Sequence, residues 1–395
     1  LSNESIRSQI QDDYDLVLVD EFQDTTELQV EILKRIHDAA ESIFFLVGDP
    51  HQSIFGFAGA RPALSDEFAN YIGARRDFQL SQNWRSGPPI IAHAEVLRPR
   101  VVAMVSAGEA GECTCDPVYV HGASAYEAIE NYFLPALEEL HIDFGRAAIL
   151  APWWVTLIGV GRQLRALGVP VIGPGSRPYR AVNVFARLAE YCCEFIERRN
   201  PILIRNLQRE LQRVSAEASD DSRKDAFTHE GRTTVFRLLA IGAELRAQSE
   251  SGERWLNAAA ARFTEQLIRD NFLPRSAERL LTDSAATMCE QMRRSQVDLA
   301  NLTISDLGLF AATDRSLQML TMHAAKGLEW DAVALIGLND GQIPNFRAST
   351  DEEVDEHRRL LYVGITRAKK FLLYVSDSSD PRNTPCRFLG QLGLL

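Results

Sequence analysis

Two carboxylates close the first apolar run of the chain. Leu16-Val17-Leu18-Val19 leads straight into Asp20-Glu21, and a run this short and partly β-branched reads as a buried strand of a parallel sheet. A strand that delivers an acidic pair to its C-terminal tip offers Asp20 as an oxygen ligand for Mg²⁺. It also offers Glu21 as a base that orients and deprotonates a water. Alone, such a pair is more often a solvated acidic turn. A second run, Ile43 to Val47, ends in Gly48-Asp49-Pro50-His51-Gln52-Ser53-Ile54-Phe55-Gly56-Phe57-Ala58. Gln52 supplies an amide able to hydrogen-bond a phosphate oxygen or a water. Phe55 and Phe57 lie two apart, so in extended backbone their rings point the same way. Such a pair is a stacking platform for nucleobases, worth ~1–3 kcal/mol per base; two core phenylalanines would look the same in isolation.

Three further stretches carry chemistry-bearing types: Leu80-Ser81-Gln82-Asn83-Trp84-Arg85-Ser86, then Thr321-Met322-His323-Ala324-Ala325-Lys326-Gly327-Leu328-Glu329-Trp330, then Arg358-Arg359-Leu360-Leu361-Tyr362-Val363-Gly364-Ile365-Thr366-Arg367-Ala368. Each is weak alone, and an isolated Arg85 or Arg367 would be a surface arginine in a salt bridge worth little.

The elements that position these residues follow from periodicity. Between the first two strands, Leu28, Ile32, Leu33 and Ile36 have helical spacing over Thr26 to Ala40, with Thr25 or Thr26 as N-cap. Strand–helix–strand is the α/β pattern, which holds ligands at the carboxyl ends of its strands. Ala147–Leu150 and Val169–Ile172 read as strands around a helix near Leu157–Leu167. Gln318–Thr321, Ala332–Ile336 and Phe371–Val375 read as further strands, the last preceded by a helix over Glu353–Ile365. From Asn183 to Leu302 the texture changes to amphipathic helices at 184–197, 202–214, 234–247 and 255–272, a helical insertion splitting the second α/β domain. Ser215 to Arg232 reads as a mobile connection.

Composition narrows the function classes. With 395 residues the chain is long enough for two to three domains. Its 42 Lys and Arg against 54 Asp and Glu leave a net charge of −12. That argues against a protein that coats nucleic acid by charge alone, leaves room for a narrow basic groove on an acidic body, and predicts weak, salt-sensitive non-specific DNA affinity. The 6 Cys lack four-ligand zinc spacing and read as reduced thiols of a cytoplasmic protein. The longest apolar stretch, Ala147–Gly161, is interrupted by Pro152 and is shorter than the ~18 residues a membrane span needs.

Taken together and in order, these stretches are far more specific than any one of them. Val-Asp-Glu-Phe-Gln-Asp at 19–24, Val-Gly-Asp-x-x-Gln-Ser-Ile-Phe at 47–55 and Gln-Asn-Trp-Arg-Ser at 82–86 are followed by Thr-x-His-x-x-Lys-Gly-Leu-Glu-Trp at 321–330 and Arg-Leu-x-Tyr-Val-x-x-Thr-Arg-Ala at 359–368. The series resembles motifs II to VI of the UvrD/Rep family of superfamily 1 DNA helicases, and Pro385–Leu389 resembles the segment that closes the family's second motor domain. The resemblance implies an α/β fold of RecA-like P-loop NTPase domains with parallel sheets, one partial and one complete, plus a helical insertion subdomain. Residues 1–78 would be the C-terminal half of the first domain, 79–182 and 303–395 the two parts of the second, and 183–302 the insertion.

The function implied is an ATP-dependent 3′-to-5′ translocase or helicase, with ATP and Mg²⁺ held between the RecA-like domains. Its substrate would be single-stranded DNA or DNA with a 3′ overhang. By the same resemblance Asp20 is similar to the Mg²⁺ ligand and Glu21 to the catalytic carboxylate. Gln52 is similar to the glutamine that senses the γ-phosphate, and Arg85 and Arg367 to the two arginines that reach it. Glu329 would lie near the ribose and Trp84 by the base. Phe55, Phe57 and His323 would contact DNA.

Two departures stand out. The position after Phe57 is usually arginine in the family and is Ala58 here. No Gly-x-x-x-x-Gly-Lys-Ser/Thr phosphate loop occurs in the sequence, so an N-terminal segment of the same protein carrying it is expected, and the first domain is not expected to fold fully without it. Two other readings follow. One is a degenerate helicase-like subunit that binds DNA or a partner without ATPase activity. The other is a helicase subunit of a nuclease or phage-defence complex, in which a partner supplies the nuclease.

Overall fold

A computed structural model describes residues 14–39, 42–76, 78–180, 183–218 and 224–395. The chain divides into two compact units. One comprises the described parts of Leu1–Ile142, Ala147–Thr156 and Leu320–Leu395; the other comprises Asp143–Arg146 and Leu157–Met319. The segment 183–302 expected to be helical lies within the second unit.

The first unit opens with strand β1 (Leu16–Val19), helix α1 (Glu27–Ala39) and strand β2 (Ile43–Leu46), followed by helix α2 (Pro62–Tyr71). β1 and β2 run parallel, Leu16 opposite Ile43 and Val19 opposite Leu46. A small core of Phe22, Val30, Leu64 and Phe68 lies under one face of the pair, with Val19, Phe44 and Leu46 packed on it. Phe68 is fully buried, its ring 5.7 Å from Phe22 and 5.6 Å from Phe44. The expectation of two buried strands is corrected here. Leu18 is 67% and Ile43 70% exposed, and Leu16 and Phe45 lie open on the same face. An apolar run is buried on both faces only when layers cover both, and among the described residues this two-stranded pair is covered on one.

The remaining strands are β3 (Gln82–Asn83), β4 (Val105–Ser106), β5 (Val118–His121), β6 (Ala147–Ala151), β7 (Val171–Ile172), β8 (Leu317–Thr321), β9 (Trp330–Leu335) and β10 (Ala368–Ser376). In the first unit β10 lies between β5 and β9, and β9 pairs with β6, all parallel. Every residue of β6 and β9 is buried, as expected for central parallel strands. Helix α3 (Pro88–Leu97) and helix α4 (Asp351–Ile365) contribute Ile90, Ala94, Leu97 and Leu360 to Ile365 to the same core. α4 starts at a capping box in which Thr350 Oγ1 accepts from Glu353 N at 3.2 Å and Glu353 accepts from Thr350 N at 3.0 Å. The acidic first turn suits the positive end of the helix. The fold is thus α/β with parallel sheets. β3, β4 and β5 were missed in the sequence, the first two because two residues carry no readable alternation.

In the second unit β7 pairs with the start of β8. The expected helices run over Ala186–Arg198, Ile202–Ala218, His229–Gln248 and Gly252–Arg269, joined by Leu280–Arg294. They enclose Phe185, Trp255 and Phe263. The connection expected at 215–232 holds more regular structure than its composition implies. Of its described residues, 215–218 and 229–232 are helical, Ala226 is fully buried, and Lys224 Nζ donates to Asp270 O at 2.9 Å. Polar composition concealed how many of these side chains find partners. Residues 219–223 lie outside the described residues.

Phe68 holds both aromatic contacts under the β1–β2 pair, so Phe68→Ala should cost ~3–5 kcal/mol. Urea unfolding followed by tryptophan-independent circular dichroism reads this as a lower midpoint; an unchanged midpoint would show that this core does not support the strands.

Candidate functional site

β1 ends where its side chains stop facing the core, and Asp20 and Glu21 emerge exposed at its tip. Glu21 adopts φ 50° and ψ 40°, a left-handed conformation that is costly for a residue with a side chain. Asp24 N closes the turn on Glu21 O at 2.9 Å. Below it Gln23 is 1% exposed and serves both strand tips. Its amide nitrogen donates to Glu21 Oε2, and its Oε1 accepts from Asp49 N at 2.8 Å. Gly48 makes room for this, since a Cβ there would sit 2.5 Å from Gln23 Oε1.

Arg367 lies in the link between α4 and β10 and is 2% exposed. Its guanidinium donates to Val363 O at 3.0 Å, Leu328 O at 3.1 Å, Thr366 Oγ1 at 3.0 Å and Gln52 Oε1 at 3.2 Å. Burial first, then repulsion from Arg85, pulls its pKa down to about 10, against attraction from Glu21. Arg85 is set by an Asx turn in which Asn83 Oδ1 accepts from Arg85 N and Ser86 N, each at 2.9 Å. Ser86 Oγ fastens this turn to Ala368 O at 2.6 Å. Arg85 donates to Glu329 Oε2 at 2.5 Å, and Lys369 pairs with Glu329 Oε1 at 2.7 Å. Lys369 and then Arg85 hold the Glu329 carboxyl below its ordinary range, against partial burial. Trp84 is 70% exposed and lies over Gly108, where a Cβ would meet the ring at 2.8 Å.

Phe55, Phe57 and His323 form a second cluster. The expectation of extended backbone between the phenylalanines is corrected, for Gly56–Ala58 is a 3₁₀ turn. The rings nonetheless meet edge to face at 5.9 Å, and Phe57 meets His323 at 5.8 Å. Phe57 is 77% exposed and Ala58 is exposed beside it.

Lys326 joins the two clusters, and sequence reasoning assigned it no role. Gly327, at φ +78°, turns the chain so that Lys326 points inward. Its Nζ donates to Asp24 Oδ2 at 2.5 Å and Gln52 O at 2.6 Å, stands 4.0 Å from Glu21 Oε2, and lies 5.4 Å over the Phe55 ring. Arg359, also given no role, is buried and donates to Ser53 O at 2.6 Å. Only its place in a motif could have flagged either residue. The structure therefore brings Glu21, Gln52, Arg85, Glu329 and Arg367 into one linked set, with Phe55, Phe57 and His323 joined to it through Lys326. No group of three or more candidate metal ligands occurs among the described residues. Asp20, one exposed carboxylate, fits a cation that takes its other ligands from water and phosphate oxygens, which is Mg²⁺ chemistry.

Comparison with known proteins places this geometry. The model of the UvrD/REP helicase N-terminal domain matches residues 1–72, and that of the UvrD-like helicase C-terminal domain matches residues 203–379. The chain belongs to the UvrD/Rep-like helicase family. Asp20, Glu21, Gln52, Phe55 and Phe57 fall in the first match and His323, Glu329 and Arg367 in the second; Trp84 and Arg85 lie between them. The ATP-dependent DNA helicase UvrD2 of Mycobacterium tuberculosis is 28% identical over 98% of this chain and 51% of its own length. A probable DNA helicase II homolog of Mycoplasma pneumoniae is 25% identical over 95% of this chain and 56% of its own length. The ATP-dependent DNA helicase Rep of Escherichia coli is 25% identical over 99% and 65%. The chain spans about half the length of the first of these relatives. No helix among the described residues is long and apolar enough to cross a membrane.

Burial lowers the pKa values of His51, His93, His323 and His357 below the ordinary 6.5. His357 Nδ1 is buried without a hydrogen-bond partner. Below about pH 6.5 the unfolded chain therefore binds protons that the folded chain refuses, so stability is present at neutral pH and declines as pH falls. Melting temperature measured from pH 7.5 to 5.5 should drop, and His357→Leu should flatten the slope; a flat wild-type profile would contradict the burial assignment.

Proposed function

We propose that the chain is the motor part of an ATP-dependent DNA helicase or single-strand translocase, with ATP hydrolysed between two RecA-like lobes. The observation that carries this reading is the buried Arg367 guanidinium, aimed at Gln52 beside the Glu21 tip. A cation held dry next to an amide and a carboxylate is the arrangement that stabilises charge moving onto a transferring phosphoryl group.

In this reading Glu21 orients and deprotonates the attacking water. Gln52 touches the γ-phosphate or that water, and Arg85 and Arg367 meet the phosphate charge. Asp20 would hold Mg²⁺, which when bound neutralises phosphate oxygens. Glu329 would hold the ribose and Trp84 the base. The phosphate-cradling loop would come from another part of the protein, in keeping with the greater length of the relatives. Phe55, Phe57 and His323 would stack on and border single-stranded DNA. Lys326, in touch with both clusters, would transmit occupancy of one to the other. The 3′-to-5′ direction and the preference for a 3′ overhang rest on the family resemblance.

The full-length protein should hydrolyse ATP in a DNA-stimulated manner. Arg367→Ala should lower that rate by ~10³-fold, the scale of an arginine acting on phosphoryl transfer. Glu21→Gln should abolish turnover while nucleotide binding persists. Full DNA-stimulated activity in Arg367→Ala would refute the reading. Fluorescence anisotropy at fixed salt should show Phe57→Ala weakening single-stranded DNA binding by ~1–3 kcal/mol; unchanged affinity would remove Phe57 from the DNA track.

A further inference from the structure

The Gln52 side chain sits between two groups of opposite hydrogen-bonding character. Its Nε2 donates to Asp49 Oδ2 at 2.9 Å, and its Oε1 accepts from Arg367 Nη2 at 3.2 Å. By shape alone an amide fits either way round. A carboxylate only accepts and a guanidinium only donates, so this pair of neighbours admits one orientation. Asp49 in turn is held from the far side. Arg100 Nη2 donates to the same Oδ2 at 2.5 Å, and it also donates to Tyr362 Oη at 2.5 Å. Arg100 and Asp49 are both largely buried, 21% and 18% exposed at their side chains. His51 N donates to the other Asp49 oxygen at 3.0 Å. Glu95 on α3 fixes the chain here, accepting from Arg100 N at 3.2 Å and Met104 N at 3.0 Å.

We propose that Arg100 is a positioning residue: through Asp49 it sets which way the Gln52 amide faces, and so presents Gln52 Oε1 to Arg367. This rests on the proposed nucleotide site but goes beyond it, because Arg100 lies outside every sequence motif and both family matches. The relay reads Arg100 to Asp49 to Gln52 to Arg367, with each donor meeting an acceptor. Removing the Arg100 charge leaves a largely buried carboxylate with one fewer partner. Replacing Asp49 by asparagine offers Gln52 a donor as well as an acceptor and frees it to turn.

The test uses the full-length protein and two readouts. In steady-state ATPase with saturating single-stranded DNA, Arg100→Met and Asp49→Asn should each lower kcat by ~10-fold, the scale of one charge-assisted hydrogen bond, with KM for ATP within ~2-fold. In a Gln52→Ala background Arg100→Met should cost nothing further, and Arg76→Met, which breaks an exposed pair with Asp66 away from the site, should keep wild-type kcat. Independently, the Gln52 side-chain amide resonance, recorded well below the melting temperature of each variant, should move in Arg100→Met and Asp49→Asn. An unmoved resonance with wild-type kcat overturns the relay, as does an equal loss in the Gln52→Ala background. If the wild-type protein hydrolyses no ATP, the nucleotide reading fails, and the resonance alone decides the relay.

Discussion

A buried guanidinium must find partners or the structure around it fails, and Arg367 imposes that demand on the first unit. An ion of this size loses several kcal/mol of hydration when taken out of water. Arg367 recovers it from two carbonyls, a hydroxyl and one amide oxygen. The carbonyls come from the end of α4 and from the turn before β9, and the amide comes from the loop after β2. Satisfying one charge therefore fixes three separate chain segments relative to each other. The last segment carries Gln52 and lies beside Glu21, so the acidic strand tip and the basic helix end share one neighbourhood.

Lys326 repeats the principle with a different result. Its ammonium is 7% exposed at the side chain and reaches Asp24, the Gln52 carbonyl and the face of Phe55. Burial pushes the Asp24 carboxyl up, against the hydrogen bond from Lys326. Where the family resemblance expects an arginine after Phe57, Ala58 carries no charge, and the cation beside the aromatic pair is Lys326 from a distant turn. A link between the acidic cluster and the aromatic pair thus exists in this fold without the residue that the motif pattern led one to expect.

The acidic overall balance and this cation-rich site are compatible. Arg85, Arg98, Arg100, Lys326, Arg359, Arg367 and Lys369 each pair with a carboxylate or a backbone or amide oxygen of the first unit. Charge here is arranged in local pairs and relays, and the net value of −12 describes the surface as a whole.

Periodicity and short motifs in the sequence determined the parallel strands at β6, β9 and β10, the helix before Arg367 and the helical character of the second unit. They did so because those elements are written in contiguous residues. The same holds for the acidic strand tip and the identity of the candidate residues. Tertiary structure alone decided that β1 and β2 are covered on one face, that the described ends of the 215–232 link are helical with Ala226 buried, and that Gln23, Asp49, Arg100, Lys326 and Arg359 surround the candidate site. Their roles depend on partners far along the chain: Lys326 meets Gln52 across 274 residues and Arg359 meets Ser53 across 306. Hydrogen bonds and ion pairs of that span leave no periodic trace, because nothing in local sequence records which distant acceptor a buried cation will find.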